Sequence, residues 1–300
     1  MIPEAKAIKL IKIYFYICEQ WEIELKHLCE RFSNNNQPEL TDQEIMTLYL
    51  YAMDQEQRLT VKQIYQFADD YLRSWFPSLG SYASFSNRLN RLYEAFRKLA
   101  SPLLEQNQPG DCLLEQSLLD SMPIITCSGK RPGKVARDIA DKGYCPTKSM
   151  YYYGLKLHAL GFRRDGKLPY PEQILLTEAS ESDINVYKQA WSEIPHRVLF
   201  GDKGYSDIDF NQQKMKDYQL QMLTPVKAVK GMDDQEKQRI KAADDLFSTA
   251  VSRIRQPIEA LFNWLIQKTG IQMASTVRST NGLLVHAYGR LAAAYISLAV

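Results

Sequence analysis

Over roughly the first 108 residues, apolar positions recur at intervals of three and four, the spacing of helices that each bury one face. In LTDQEIMTLYLYAMDQE, Thr41 precedes the apolar run and Glu44 stands three residues on, the pattern of a capping box. Ile45, Leu48, Tyr49 and Ala52 then share a face. LTVKQIYQFADDYLRSWF begins in the same way at Thr60. SYASFSNRLNRLYEAFRKLA predicts a helix with Phe85, Leu89, Leu92, Phe96 and Leu99 on one side and Asn87, Arg88, Asn90 and Arg91 on the other. QNQPGD, Gln106 to Asp111, breaks the helical period. The chain therefore reads as a helical N-terminal domain, 1–108, followed by a second domain, 109–300. The helical domain either contacts DNA through its Asn- and Arg-bearing helix or serves packing and dimerisation; its net negative charge weighs against the first.

After the break the pattern becomes that of strands. CLLEQSLLDSMPI predicts a strand ending at Asp120, before a turn-like Ser-Met-Pro. MYYYGLKLHALGF predicts another, with Lys156 and His158 on one face. KLPYPEQILLTEA is a third, SESDINVYKQAW a helix start with Ser180 and Asp183 at capping-box spacing, HRVLFGDKGY a fourth strand, NQQKMKDYQ a helix and LQMLTPV a fifth strand. From about Ala242 the chain is helical, with Phe247, Val251, Ile254, Ile258, Leu261 and Leu265 at the spacing of a face turned to the sheet. This order predicts an α/β layer with a mixed sheet flanked by helices.

Composition adds little to the fold and more to the class. At 45% hydrophobic and 24% charged, the chain is of ordinary globular make-up. Its apolar ends are too short to span a bilayer, and no signal-peptide pattern is present, so a soluble, cytoplasmic protein with no membrane partner is expected. Five cysteines with no CxxC pair argue against a disulfide framework or zinc knuckle, and four scattered histidines against a His-based metal site. Net charge is +2, unevenly spread. Residues 1–127 hold 12 basic and 17 acidic side chains, 128–168 hold 10 and 3, and the remainder 15 of each. The middle segment is a basic island with interleaved tyrosines, suited to a phosphate backbone, or else a solvated loop.

The stretch VLFGDKGYSD, Val198 to Asp207, runs an apolar strand into an aspartate between two glycines. A turn would explain it. So would delivery of Asp202 to a sheet edge, where sites form in open α/β layers. Asp120 is predicted at another strand end. Glu259 follows Pro257, with Arg255 four residues before it and Asn263 four after. Pro257 either kinks one helix or starts a new one, and on the second view Glu259 is an N-terminal acid favoured by the helix dipole. Were Glu259 only such a cap residue, Asp244 or Asp245 would be the candidate to complete the site. Carboxylates from separate elements beside basic residues suit magnesium, which prefers oxygen ligands and is commonly shared with substrate phosphates in phosphoryl transfer. The glycines would let DNA backbone or a neighbouring strand approach closely. Lys203 could meet a phosphate, Tyr205 either stack on a base or pack, and His158 either fill the core or touch the site.

LLDSMPI, YYYGLKLHAL, GDKGY and RQPIEALFNWL, in this order, resemble the successive motifs of DDE transposases from bacterial insertion sequences. The likeness runs from about Leu113 to the end, and the helical front also resembles these proteins. The resemblance implies a ribonuclease-H-like catalytic domain. It implies Asp120, Asp202 and Glu259 as catalytic and metal-binding residues for two Mg2+ ions, with Mn2+ able to substitute. It implies cleavage and joining of double-stranded DNA at element ends and target, by a homo-oligomer on DNA, in a bacterial nucleoid. Lys203, Tyr205, Arg253, Arg255, Lys268, Lys130, Arg131, Lys134, Arg88 and Arg91 are the DNA-binding residues expected with it. In the tyrosine, arginine, glutamate and lysine signature of the last catalytic helix, Arg255 and Glu259 match. Ser252 replaces the tyrosine and Ile266 the lysine, with Lys268 two residues late. The 57 positions from Asp202 to Glu259 leave little room for an inserted domain. A nuclease of the same fold, a non-catalytic DNA-binding remnant of a mobile element and a dimeric interaction protein are the competing readings.

Overall fold

Strand β1, Leu113–Ser128, organises the sheet, because its apolar residues Leu118, Leu119, Met122, Ile124 and Ile125 are buried on both faces. The computed structural model describes residues 2–29, 38–130, 132–227 and 234–299. β1 is longer than the strand expected from sequence and does not end at Asp120. It pairs antiparallel with β3, Met150–Arg163, from Ser117 to Ser128, with Asp120 opposite Ala159. Pro123 lies within it, where the other neighbour, β5 (Arg197–Phe200), has already stopped. A proline that lacks an N–H is tolerated along such an open edge.

The sheet has six strands, not five. The addition is β2, Asp141–Cys145, inside the basic island. β2 and β4, Tyr170–Glu178, share the far edge of β3, one pairing with Met150 to Gly154 and the other with Leu155 to Phe162. On the other side of β1 lie the parallel strands β5 and then β6, Leu220–Leu223. The result is the mixed α/β sheet expected, flanked by helices. Ser182, not Ser180, caps the helix after β4, which runs from Asp183 through a π turn to Trp191. Leu119, Leu160, Leu199 and Leu220 from four strands pack with Tyr187, Trp191 and Tyr205 into one core cluster.

The chain divides into two compact units. One holds 1–107, 134–138 and 265–300; the other holds 108–133 and 139–264. The first is helical: α1 (Glu4–Gln20), α2 (Lys26–Leu28), α3 (Asp42–Glu56), α4 (Val61–Tyr71), α5 (Tyr82–Leu89) and α6 (Tyr93–Glu105). Thr41 with Glu44 and Thr60 with Gln63 form the capping boxes read from sequence, here at the starts of α3 and α4. The expected single helix over Ser81 to Ala100 breaks at Asn90–Leu92 into α5 and α6. Even so, Phe85, Leu89, Leu92, Phe96 and Leu99 are all buried.

In the sheet unit, α7 (Asp183–Val186) follows β4 and α8 (Ile208–Tyr218) links β5 to β6. Then α9 (Asp234–Arg255) gives way at Gln256 to α10 (Pro257–Thr269), with Pro257 as the first residue of the new helix. α11 (Thr280–Leu284) continues through a π turn into α12 (Arg290–Ala299), whose Leu291 to Ile296 are buried in the helical unit. Val251, Ile258 and Leu261 are buried as expected, but Phe247 is exposed. None of the five cysteines is in a disulfide. Among the described residues no helix is long and apolar enough to cross a membrane.

Candidate active site

The pairing register brings Asp120 and Asp202 together. In the parallel pair, Leu118 stands opposite Phe200. Each aspartate follows its partnered residue by two positions, so both emerge at the same level where β5 stops. Asp120 is thus a mid-strand residue placed at a site by the end of its neighbour. Asp202 stands just beyond its strand, as the sequence predicts.

Asp120 pays electrostatically for this position. Burial pushes its carboxyl up to about 6. Arg255 and the Ser121 N–H pull it back, while Asp202 and Asp183 push it further. Arg255 Nη1 donates to Asp120 Oδ2 at 2.6 Å and Nη2 to Glu259 Oε1 at 3.0 Å. One guanidinium therefore bridges β1 and the first turn of α10. The break before Pro257 makes Glu259 an N-terminal acid of α10, and it also faces Asp120 through Arg255. Of the alternatives posed by Pro257, the structure shows the second, a new helix that it begins.

The glycines around Asp202 make room for groups of the protein itself. A Cβ on Gly201 would lie 2.7 Å from the Tyr205 ring. One on Gly204 would lie 2.7 Å from Asp202 Oδ1. That oxygen accepts from the Gly204 N–H at 2.7 Å and caps the short turn Lys203–Tyr205. Tyr205 is fully buried, T-stacked on Tyr187 at 6.4 Å, and its hydroxyl has no hydrogen-bond partner. It packs, and cannot stack on a nucleotide base. Its phenol is held well above its ordinary pKa, by burial first and then by Asp183, Asp120 and Asp202.

Asp183 is the acid that sequence reading missed as part of the site, because its position at a helix start explained it. Its Oδ1 lies 3.4 Å from His158 Nδ1 and 3.5 Å from Lys156 Nζ. His158 is fully buried, bonded to Thr177 Oγ1 at 2.9 Å, and burial pushes it down to about 4, so it is neutral near pH 7. Beside it, a cavity of about 490 Å³ runs from Lys156 and Asp183 to Gly204 and, at its rim, Tyr144 and Tyr151. These two exposed rings are 5.0 Å apart, and Lys142 Nζ stands 4.9 Å from the centre of Tyr151.

The donor set suits a hard divalent cation. Carboxylate oxygens are its preferred ligands, and an organic cation, the Arg255 guanidinium, already lies between two of them. Among the described residues no three His, Cys, Asp or Glu side chains converge closely enough to enclose a metal ion. An ion held by Asp120, Asp202 and Glu259 would therefore take its remaining ligands from water and substrate oxygens.

A family model described as a transposase DDE domain matches residues 113–296, more than half of the chain. The chain belongs to the DDE transposases. No match was found among curated proteins or solved structures. The family generally uses divalent metal ions.

The remaining residues expected in this transposase to meet DNA fall into two groups. Lys203, Arg253, Lys130, Lys134 and Arg91 are exposed. Arg131 lies outside the described residues. By contrast, Arg88 is bound to Asp42 at 2.5 Å with both side chains largely buried. Lys268 is 3.0 Å from the buried Asp54. Each of these two already neutralises an acid within the helical unit, which is a structural duty rather than a free contact.

Proposed function

We propose that this chain cuts DNA at the ends of an insertion sequence and joins the freed ends to target DNA, in a magnesium-dependent reaction. The observation that supports it best is that Asp120 and Asp202 leave adjacent strands at the same level while Arg255 ties Asp120 to Glu259, in a domain matched to the DDE family. The sheet order, an antiparallel set followed by two parallel strands, is consistent with a ribonuclease-H-like layer.

In this reading Asp120, Asp202 and Glu259 would hold two divalent ions. Such ions activate an attacking oxygen and stabilise the leaving one in phosphoryl transfer. Arg255 keeps Asp120 and Glu259 aligned before substrate arrives, and its charge offsets that of the scissile phosphate. Asp202 is oriented by the Gly204 N–H, which leaves its second oxygen available. Lys203, next along the turn, is the nearest exposed cation in sequence and would meet the flanking phosphate. His158, buried, neutral and bonded to Thr177, stands beside Asp183 rather than moving a proton.

The test is cleavage of a labelled duplex carrying the flanking element end, with magnesium. Asp202→Asn should abolish cleavage and leave DNA binding within about twofold. Full cleavage by that variant would reject the assignment. Supplying pre-cleaved ends then asks whether the protein joins as well as cuts.

A further inference from the structure

The helical unit contains a cavity of about 430 Å³ that the carboxylate site does not use. Its wall carries Lys62, Arg278 and Arg290, and no carboxylate. Arg290, on α12, is 7% exposed. Its two terminal nitrogens donate to the backbone carbonyls of Thr269 and Leu59. Its Nε is also buried and has no hydrogen-bond partner. Among the described residues no acid lies within ion-pair distance of Lys62, Arg278 or Arg290. A buried cation normally has a counter-charge, because removing it from water is costly. Two carbonyl dipoles offset part of that cost and leave the charge itself uncompensated. His286, in the same wall, does not help: it donates through Nε2 to the Ile271 carbonyl, and burial keeps it neutral.

Lys62 and Arg278 stand exposed at the mouth, and Arg278 is fixed by the carbonyls of its own loop, those of Ser275 and Val277. The exposed ring of Tyr82 lies on the same wall. We infer that this cavity binds a phosphate group, with Arg290 at its base and Lys62 and Arg278 at its rim. A phosphodiester of nucleic acid and a free phosphate anion share that chemistry; Tyr82, a ring on which a base or sugar can rest, favours the first. The inference is independent of the carboxylate site, so its test is run in EDTA.

The full chain is compared with Lys62→Gln/Arg278→Gln, both exposed positions whose replacement should not disturb folding. A control, Lys12→Gln/Arg97→Gln, removes the same charge from exposed positions outside the cavity. DNA affinity is read against salt, and thermal stability against inorganic phosphate. If the ligand is a phosphodiester, the cavity variant should bind duplex about tenfold more weakly at low salt. The slope of log affinity on log salt should also become shallower by about 2, with the control unchanged. If it is a free anion, inorganic phosphate should raise the melting temperature of wild type and control but not of the cavity variant. Equal DNA loss in both double variants, or no difference from wild type in either assay, would overturn the inference.

Discussion

Asp120 holds two opposing demands in one carboxyl. It must ionise to bind a cation, yet burial and its acidic neighbours favour the protonated form up to about pH 6. Its pKa in the folded chain lies above the unfolded value near 3.9, so its contribution to stability is present at low pH and lost as pH rises through 6. His158 has the reverse sign. Its folded pKa, about 4, lies below the unfolded value near 6.5, so it favours the folded state at neutral pH and withdraws that as pH falls. The two oppose each other in the same window. Asp120→Asn should therefore make the loss of stability between pH 7 and 4.5 steeper, by about 2 kcal/mol. Urea midpoints of the two proteins at both pH values, in EDTA, check this. An unchanged pH profile would mean that Asp120 is better solvated than its burial indicates.

Among the elements, the turn after β5 shows why some of the site was readable and some was not. A strand that stops on an acid between glycines leaves a local signature, and Asp202 was legible from it. What the glycines do was not legible, since their partners, the Tyr205 ring and the Asp202 carboxylate, are set by a folded turn. Asp120 was found as an acid but misplaced as a strand end. Its prominence comes from the shortness of β5, a property of another segment. β2 escaped notice because DKGYC carries no clear alternation, and it is a strand because β3 offers it an edge. The capping boxes at Thr41 and Thr60 were legible in full because cap and partner lie within four residues.

The turn also yields a measurable consequence. Gly201→Ala would drive a methyl into the Tyr205 ring, which has no room to retreat within the core. A destabilisation of about 1–3 kcal/mol is expected, together with loss of cleavage as Asp202 shifts. Gly204→Ala instead meets the Asp202 carboxylate alone, and should cost less stability while still impairing cleavage. Denaturant unfolding beside the cleavage assay separates them. Equal stability of Gly201→Ala and wild type would show that the turn is looser than the packing implies.

For the whole molecule, charge is informative only after pairing is taken into account. A net +2 and a basic island point toward nucleic acid without saying which cations are free to meet it. The structure divides them. Lys203, Lys130, Lys134 and Arg253 are exposed, whereas Arg88 and Lys268 neutralise Asp42 and Asp54. Each free cation that contacts a phosphate releases counterions on binding, and its loss should make the salt dependence shallower by about 1. Lys203→Gln should show this, along with a several-fold loss of affinity at low salt and no change in melting temperature. Arg88→Gln and Lys268→Gln should do the opposite. Asp54 is almost fully buried, so stripping it of Lys268 leaves a charge with only Lys9, 3.9 Å away, to offset it. A loss of about 1–3 kcal/mol is expected there, with the salt slope of DNA binding unaltered. A fall in slope for Lys268→Gln at unchanged stability would place Lys268 on the DNA after all and make Lys9 the sufficient partner of Asp54.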